Sequence, residues 1–140
     1  MKKILLATML LVAGITSLAQ KKVPTYKHRV GKYNEKVKDV VYGKWIPGGY
    51  TFTYYDGQIL SSNKKCPTYT IYRDIVDDSN PEADVMVVYC IDATGRRCTI
   101  GLKIDKKNKS QSNVAISYGH TVVMYAVDVD QYTKINQVRY

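Results

Sequence analysis

The chain has 140 residues, 21 Lys or Arg against 12 Asp or Glu, and a formal net charge of +9. Its 13 tyrosines, against one tryptophan and one phenylalanine, favour β-strands with half-buried faces. Beyond the N-terminus no apolar run is long enough to cross a bilayer, and no recognised nucleic-acid-binding module accompanies the basic excess. We therefore expect neither a transmembrane segment in the mature chain nor a nucleic-acid partner.

Residues 1–19 have the pattern of a secretory signal peptide. Lys2 and Lys3 precede the apolar run ILLATMLLVAGIT, and small residues precede the predicted cleavage site. Loss of these two lysines lowers the formal net charge from +9 to +7. We expect residues 20–140 to form one exported domain, located in the periplasm or outside the cell. Residues 20–25 are predicted to be a flexible segment before the first strand.

The segment Lys21–Lys44 is strongly basic. It holds eight Lys or Arg against two acidic residues, Glu35 and Asp39. Such a segment favours binding to an anionic envelope polysaccharide, to anionic lipid or to an acidic protein. The alternative interpretation is a solvated face that keeps a secreted protein in solution.

The first half of the mature chain predicts strands. Residues 26–42 fit both a helical spacing and a pair of strands, and Gly31 together with a run of β-branched residues favours the strands. The next strands are predicted at Tyr50–Tyr55 and Gln58–Ser61, joined by a tight turn at an Asp-Gly pair. A further strand is predicted at Thr68–Val76.

The stretch Ala83–Ile104 has the clearest pattern in the chain. Asp92 and Gly95 fit a type I turn closed by a residue with positive φ, which predicts a three-residue loop with a glycine bulge. Counting outward from this loop pairs Cys90 with Cys98. A shift of one residue would bring charged side chains to the apolar face, so the register is strongly specified. The predicted apolar face consists of Met86, Val88, Cys90, Cys98, Ile100 and Leu102.

The mature chain contains three cysteines, Cys66, Cys90 and Cys98. An exported chain meets an oxidising environment, and directly opposed residues of a hairpin lie within bridging range. We predict a disulfide between Cys90 and Cys98, which leaves Cys66 as the odd thiol. Pairing of Cys66 with either of the other two is the alternative, because the sequence does not fix the connectivity.

The C-terminal part predicts another hairpin and the fold class. Val114–Tyr118 and Thr121–Val129 are predicted to pair around a Gly-His turn, with Ile116 opposite Val123, and Tyr132–Tyr140 is predicted as a last edge strand. About eight short strands joined mainly by hairpins, with no helix, predict a single all-β domain. A small antiparallel barrel or a tight β-sandwich with meander connectivity would bury one face and hide the edges.

The usual catalytic and cofactor motifs are missing from the sequence. His28 and His120 lie far apart, and His120 is interpreted as an exposed turn residue. Asp128 and Asp130 would lie on one side of a strand, where we interpret them as solvated charges. Cys66 follows two lysines but has no base nearby in the sequence. We therefore expect no catalytic residue, no metal site and no cofactor.

Two resemblances bear on the fold. Gly43-Lys44-Trp45 resembles the G-x-W motif of the calycin superfamily, which includes lipocalins, fatty-acid-binding proteins and avidins. In that family the Trp closes the floor of the barrel and an Arg of the last strand often packs on it, so the resemblance implies these roles for Trp45 and Arg139. I-D-x-x-G-x-x-C-T-I at Ile91–Ile100, with V-x-M-Y-x-V at Val122–Val127, is similar to small exported bacterial β proteins without an assigned activity.

These observations predict a non-enzymatic exported β-domain that binds either a small apolar or aromatic ligand or an envelope macromolecule. A hollow or a filled interior would distinguish the two kinds of ligand. The alternative is a protein–protein interaction factor, either an inhibitor of a secreted hydrolase or an accessory subunit of an envelope complex. The candidate ligand-binding residues are Trp45, Tyr54, Tyr69, Tyr125 and Arg139.

Overall fold

The computed structural model describes residues 21–77, 83–105 and 107–136, with side chains except those of residues 75–77 and 83–84. The elements are β1 (Lys21–Asn34), β2 (Asp39–Tyr42), β3 (Ile46–Pro47), β4 (Thr51–Tyr55), β5 (Gln58–Ser61), β6 (Thr68–Asp77), β7 (Ala83–Asp92), β8 (Arg97–Asp105), a 3₁₀ turn (Lys109–Gln111), β9 (Asn113–Tyr118), β10 (Thr121–Val127) and α1 (Val129–Ile135). No helix among these residues has the length and apolar character needed to span a bilayer.

Eight of the ten described strands close into an antiparallel barrel. The order around the barrel is β1–β4–β5–β6–β7–β8–β9–β10, and β10 pairs with β1 to complete the ring. From β4 onward each strand pairs with the next one in the sequence, which is a meander. The predicted all-β barrel is therefore confirmed, and closure removes the exposed edges that an open sheet would leave.

Strand β1 is long because it serves several neighbours. Lys21–Pro24 pair with β4, and later residues on the same side pair with β2 and β3. On its other side β1 pairs with β10 from Thr25 to Lys32, with an irregularity between Thr25 and Lys27. The prediction that residues 20–25 form a flexible segment is therefore wrong for 21–25, because backbone pairing with β4 and β10 holds them in the barrel wall.

The register predicted for the β7–β8 hairpin is confirmed. Cys90 lies opposite Cys98 and Val88 lies opposite Ile100. The loop carries Gly95 at a φ of +86°, a conformation that glycine adopts without strain. The face predicted to be apolar forms the centre of the core, since Val88 and Cys90 are fully buried. The two-residue alternation of the sequence thus fixes which side of this hairpin points inward.

The β9–β10 hairpin also has the predicted register, with Ile116 opposite Val123. The continuation to residue 129 and the edge strand predicted at Tyr132–Tyr140 are wrong for the described residues, because β10 ends at Val127 and α1 follows. Residues 137–140 lie outside the description. Val129 and Tyr132 of α1 are buried among the core residues, so the helix covers one end of the barrel.

Candidate functional site

An apolar cavity lies among the described core residues of the barrel. It has a volume of about 20 Å³ and is lined by Val23, Phe52, Tyr54, Ile59, Met86, Ile100, Leu102 and Val114. A volume of this size is close to that of a single water molecule, whereas small-molecule sites usually measure about 300–1,000 Å³. Tyr54, a predicted ligand-binding residue, therefore lines a gap in the core and contributes to packing.

Two other predicted ligand-binding residues belong to the core. Tyr69 and Tyr125 are 4% and 8% exposed. The ring of Tyr125 packs edge-on against Phe52, with centroids 5.1 Å apart, and lies 5.9 Å from the ring of Tyr50. Burial raises the pKa of the Tyr125 hydroxyl to about 12, so it stays protonated at physiological pH. The rings of Tyr50, Phe52 and Tyr125 form an aromatic cluster, and Tyr69 is buried in the same core.

Trp45 lies outside this cluster. Its ring lies 4.5 Å from the guanidinium of Arg29 and 4.7 Å from the ammonium of Lys27. Arg29 also packs on the ring of Tyr42 at 4.4 Å. Glycine at position 31 permits the close approach of β2, since an added Cβ would lie 2.6 Å from the Tyr42 ring. The aromatic residues thus hold the β2–β3 segment against β1, while the implied contact of Arg139 with Trp45 lies outside the described residues.

The predicted disulfide between Cys90 and Cys98 is absent from the structure, in which all three cysteines are free thiols. Direct opposition in a ladder is not sufficient for a bond, because the side chains must also turn toward each other with the required dihedral angle. Burial raises the pKa of Cys90 to about 12 and that of Cys98 to about 11. Both groups are therefore unreactive thiols rather than thiolates. Cys66 is half-buried, and its sulfur lies 3.9 Å from the carbonyl oxygen of Thr68.

The barrel brings different sets of turns to its two ends. Because neighbouring strands are antiparallel, the β1–β2, β5–β6, β7–β8 and β9–β10 connections lie at one end. The β4–β5, β6–β7 and β8–β9 connections and α1 lie at the other, which we call the helix end. The strongly basic sequence segment is divided between them. Lys21 and Lys22 begin β1 at the helix end, whereas Lys32, Lys36 and Lys38 lie at the opposite end.

Separate segments of the sequence supply cations to this opposite end, which we call the basic end. Seven exposed cations lie there, against Glu35, Asp39 and the buried Asp92 as acidic residues. None of the seven forms an ion pair with a carboxylate of the described residues. Unpaired cations of one sign produce a positive potential that attracts anionic groups. The seven are Lys32, Lys36, Lys38, Lys64, Lys65, Arg96 and Arg97.

The arginines of the basic end are held by aromatic rings. The guanidinium of Arg96 lies 4.6 Å from the ring of Tyr118, and that of Arg97 lies 6.0 Å from the ring of Tyr72. Stacking occupies the face of a guanidinium and leaves its N–H edge available for carboxylate or phosphate oxygens. These two residues are therefore suited to donate to an anionic partner.

A buried hydrogen-bond network fixes the β7–β8 turn at the basic end. The Asp92 carboxylate accepts from the backbone N–H groups of Thr94 and Arg96, each at 2.9 Å, and from the hydroxyl of Tyr118 at 2.8 Å. Burial raises the pKa of Asp92, but the hydrogen bonds outweigh burial and lower the pKa to about 2. Asp92 is thus used structurally, and it positions the turn that carries Arg96 and Arg97.

The basic end also carries exposed apolar side chains. Six of the eleven exposed large hydrophobic residues in the described chain lie there, and Val37 at the β1–β2 turn is the most exposed of all at 62%. Three of them, Val30, Val37 and Val41, belong to one hairpin, and a contiguous apolar patch rimmed by polar residues is typical of an interaction surface. The six are Val30, Tyr33, Val37, Val41, Leu60 and Ile91.

Two carboxylates at the helix end, those of Asp128 and Asp130, have partners among the described residues. Asp128 caps α1, where its carboxylate accepts from the backbone N–H of Gln131 at 3.1 Å. The ammonium of Lys109 lies 2.8 Å from the carboxylate of Asp130. The interpretation of Asp128 and Asp130 as one face of a strand is therefore wrong. An open cleft of about 330 Å³ lies beside this ion pair and is lined in part by Tyr26.

The histidines do not form a site with the acidic residues. His120 is exposed in the β9–β10 turn, as predicted, and its ring lies 5.6 Å from that of Tyr33. The Nδ1 atom of His28 lies 2.7 Å from the carbonyl oxygen of Gly48. Among the described residues, no group of three or more His, Cys, Asp or Glu is arranged to hold a metal ion.

The sequence pattern did not predict that the β5–β6 and β7–β8 turns supply cations to the basic end. No local pattern groups Lys64, Lys65, Arg96 and Arg97 with the lysines of β1, because they are distant in the sequence. The order of the predicted strands could have indicated this grouping, since alternate turns of an antiparallel meander fall at the same end. Comparison with known proteins adds no analogy: no family model, curated protein or solved structure matches this chain.

Proposed function

We propose that this chain is an exported, non-enzymatic barrel domain that binds an anionic component of the cell envelope through its basic end. The observation that carries this proposal is the group of seven exposed cations, none paired with a described carboxylate. Phosphate and carboxylate groups of an envelope component would supply the missing counter-charges. At the helix end, Asp130 already supplies a counter-charge to Lys109.

The small size of the cavity among the described core residues favours this function over transport of a small apolar ligand. A cavity of about 20 Å³ has no room for a lipophilic molecule unless core side chains such as Phe52 and Tyr54 move. Close-packed cores resist such movement, because displaced side chains lose many contacts. Binding on the outside of the barrel requires no change in the core.

Calorimetric titration of the mature chain tests the proposal. We expect binding to a soluble polyanion, dextran sulfate, and none to neutral dextran of the same length. The affinity for the polyanion should fall steeply as the salt concentration rises, because cations of the protein replace counterions. Equal affinity for the two polymers, or binding that is insensitive to salt, would contradict the proposal.

Export is tested separately. The chain expressed with residues 1–19 should be recovered from the periplasm or the medium, and N-terminal sequencing should begin at Gln20. Recovery of the uncleaved chain from the cytoplasm alone would contradict export.

A further inference from the structure

We infer that the anionic partner is a lipid bilayer and that the β1–β2 hairpin inserts Val37 into its interfacial region. This inference rests on the proposed function and names the class of partner. It is carried by the shape of the hairpin, by the exposure of Val37 and by the lysines that flank it.

The hairpin projects beyond the wall of the barrel. The last described pair between β1 and β10 joins Lys32 to Thr121, whereas the pairing of β1 with β2 continues to Asn34 opposite Asp39. The backbone N–H of Tyr33 donates to the carbonyl of His120 at 2.8 Å, which ties the base of the hairpin to the β9–β10 turn. The tip thus extends past the strand that supports its base.

The turn at the tip has a defined conformation. The side-chain oxygen of Asn34 accepts from the backbone N–H of Lys36 at 2.9 Å, and Lys38 has a φ of +55°. The chain between these two lysines presents Val37 outward, with 62% of its surface exposed. An ordered apolar tip costs less conformational entropy on insertion than a flexible loop would cost.

A second apolar surface continues down one face of the hairpin. Val41 lies opposite Lys32, so the two residues share a face, and Val30 lies on that face because side chains two apart point the same way. Val30 and Val41 are 41% and 52% exposed. Apolar residues therefore alternate with a lysine along the hairpin as well as at its tip.

This combination distinguishes a bilayer from a polysaccharide as partner. A hydrated polyanionic chain offers counter-charges to Lys36 and Lys38 but no apolar environment for Val37. An anionic bilayer offers both, because valine can enter the boundary with the acyl chains while the lysines remain among the headgroups. Of the two partners, only the bilayer therefore offers an apolar environment to the exposed side chain at the tip.

Vesicle sedimentation tests the inference with the full mature chain. We expect binding to vesicles that contain phosphatidylglycerol and little binding to vesicles of phosphatidylcholine alone. Replacing both Lys36 and Lys38 by Ala should lower the partition coefficient by roughly 10- to 30-fold. Each basic residue near an anionic surface raises membrane binding by a similar factor, and two such factors are lost. Val37→Ser should lower it by about fivefold, because a partly buried apolar side chain is lost.

A variant that gains vesicle binding keeps the test valid, because misfolding can explain a loss of binding but not a gain. Val37→Trp should raise the partition coefficient, because tryptophan prefers the membrane interface. Ile135→Ser is the matched control, since Ile135 is 46% exposed at the helix end and should leave vesicle binding unchanged.

The outcomes separate the two proposals. If dextran sulfate is bound but vesicles are not, or if Val37→Ser and Val37→Trp bind vesicles as the parent does, the lipid inference is overturned and the proposed function stands. If neither dextran sulfate nor anionic vesicles are bound, both proposals fail. Vesicle binding that changes in opposite directions in the two Val37 variants supports the lipid inference.

Discussion

At the helix end of the barrel, Val129 and Tyr132 are buried in the core and Lys109 is paired with Asp130. At the basic end, the β1–β2 hairpin leaves Val37 exposed, and the lysines beside it have no described carboxylate partner. The helix end therefore contributes to the stability of the fold, whereas we propose that the basic end binds an anionic partner. Substitutions at the two ends should separate these roles.

The largest effect on stability is expected at the helix end. Tyr132→Ala should lower the free energy of unfolding by about 3 kcal/mol, because it removes a buried aromatic ring and leaves a cavity. Urea denaturation measures this change. Lys134→Ala on the exposed side of the same helix is the control and should have little effect. Equal effects of the two substitutions would show that α1 does not contribute to the core.

The basic end also contributes to the stability of the fold, because Asp92 stabilises the β7–β8 turn. Asp92→Asn should lower the free energy of unfolding by about 2 kcal/mol at neutral pH, since hydrogen bonds to a charged acceptor are replaced. Folding lowers the pKa of Asp92 from 3.8 to about 2, so its contribution is complete above about pH 4 and is lost as the pH falls toward 2.

The pH dependence of unfolding tests this role. Denaturation of the parent and of Asp92→Asn should give stabilities that converge as the pH falls from about 4 to 2, because the carboxyl group becomes protonated. Tyr118→Phe removes one donor, so the pKa of Asp92 should rise toward its ordinary value. A constant difference between parent and Asp92→Asn over this pH range would contradict the network.

A smaller loss is expected where α1 meets β1. The side chain of Asn136 accepts from the backbone N–H of Lys22 at 2.9 Å and donates to its carbonyl at 2.7 Å. Asn136→Ala should therefore cost about 1 kcal/mol of unfolding free energy. Gln131→Ala, an exposed side chain on the same helix, is the comparison and should remain close to the parent in thermal unfolding.

The smallest effect on stability is expected for the cations of the basic end. Replacing both Lys64 and Lys65 by Ala should change the free energy of unfolding by less than about 0.5 kcal/mol, because both side chains are exposed and neither has a described ion pair. A loss comparable to that of Asn136→Ala would mean that these lysines support the fold.

The local features of the fold could be predicted from the sequence. The β7–β8 register follows from Asp92 and Gly95 in the turn and from the alternation on either side. Closure through β1 and β10 depends on strands that are distant in the sequence, and no local pattern indicates that pairing. The sequence contains a local indication of α1, because Asp128 followed three residues later by Gln131 fits a capping box. The apolar alternation that extends to Val129 nevertheless favours a strand.

The candidate site was only partly predictable, for a similar reason. The lysines near the β1–β2 turn were identified as a basic segment, but an extended strand of 14 residues spans about 45 Å and carries Lys21 away from Lys36. Lys64 and Arg97 lie at the same end as Lys36 only because the strands fold into a barrel. Residue type alone favours Tyr69 and Tyr125 as ligand-binding residues, but the alternation of β6 and β10 places both in the core.

Affinity measurements on two charge-reversal variants test the central claim most directly. One carries Lys64→Glu and Lys65→Glu at the basic end, and the other carries Lys107→Glu and Lys134→Glu at the helix end, so that both have the same net charge. We expect the basic-end variant to lose most of the calorimetric affinity for dextran sulfate and the helix-end variant to retain most of it. Equal losses in the two variants would show that net charge rather than the basic end determines binding.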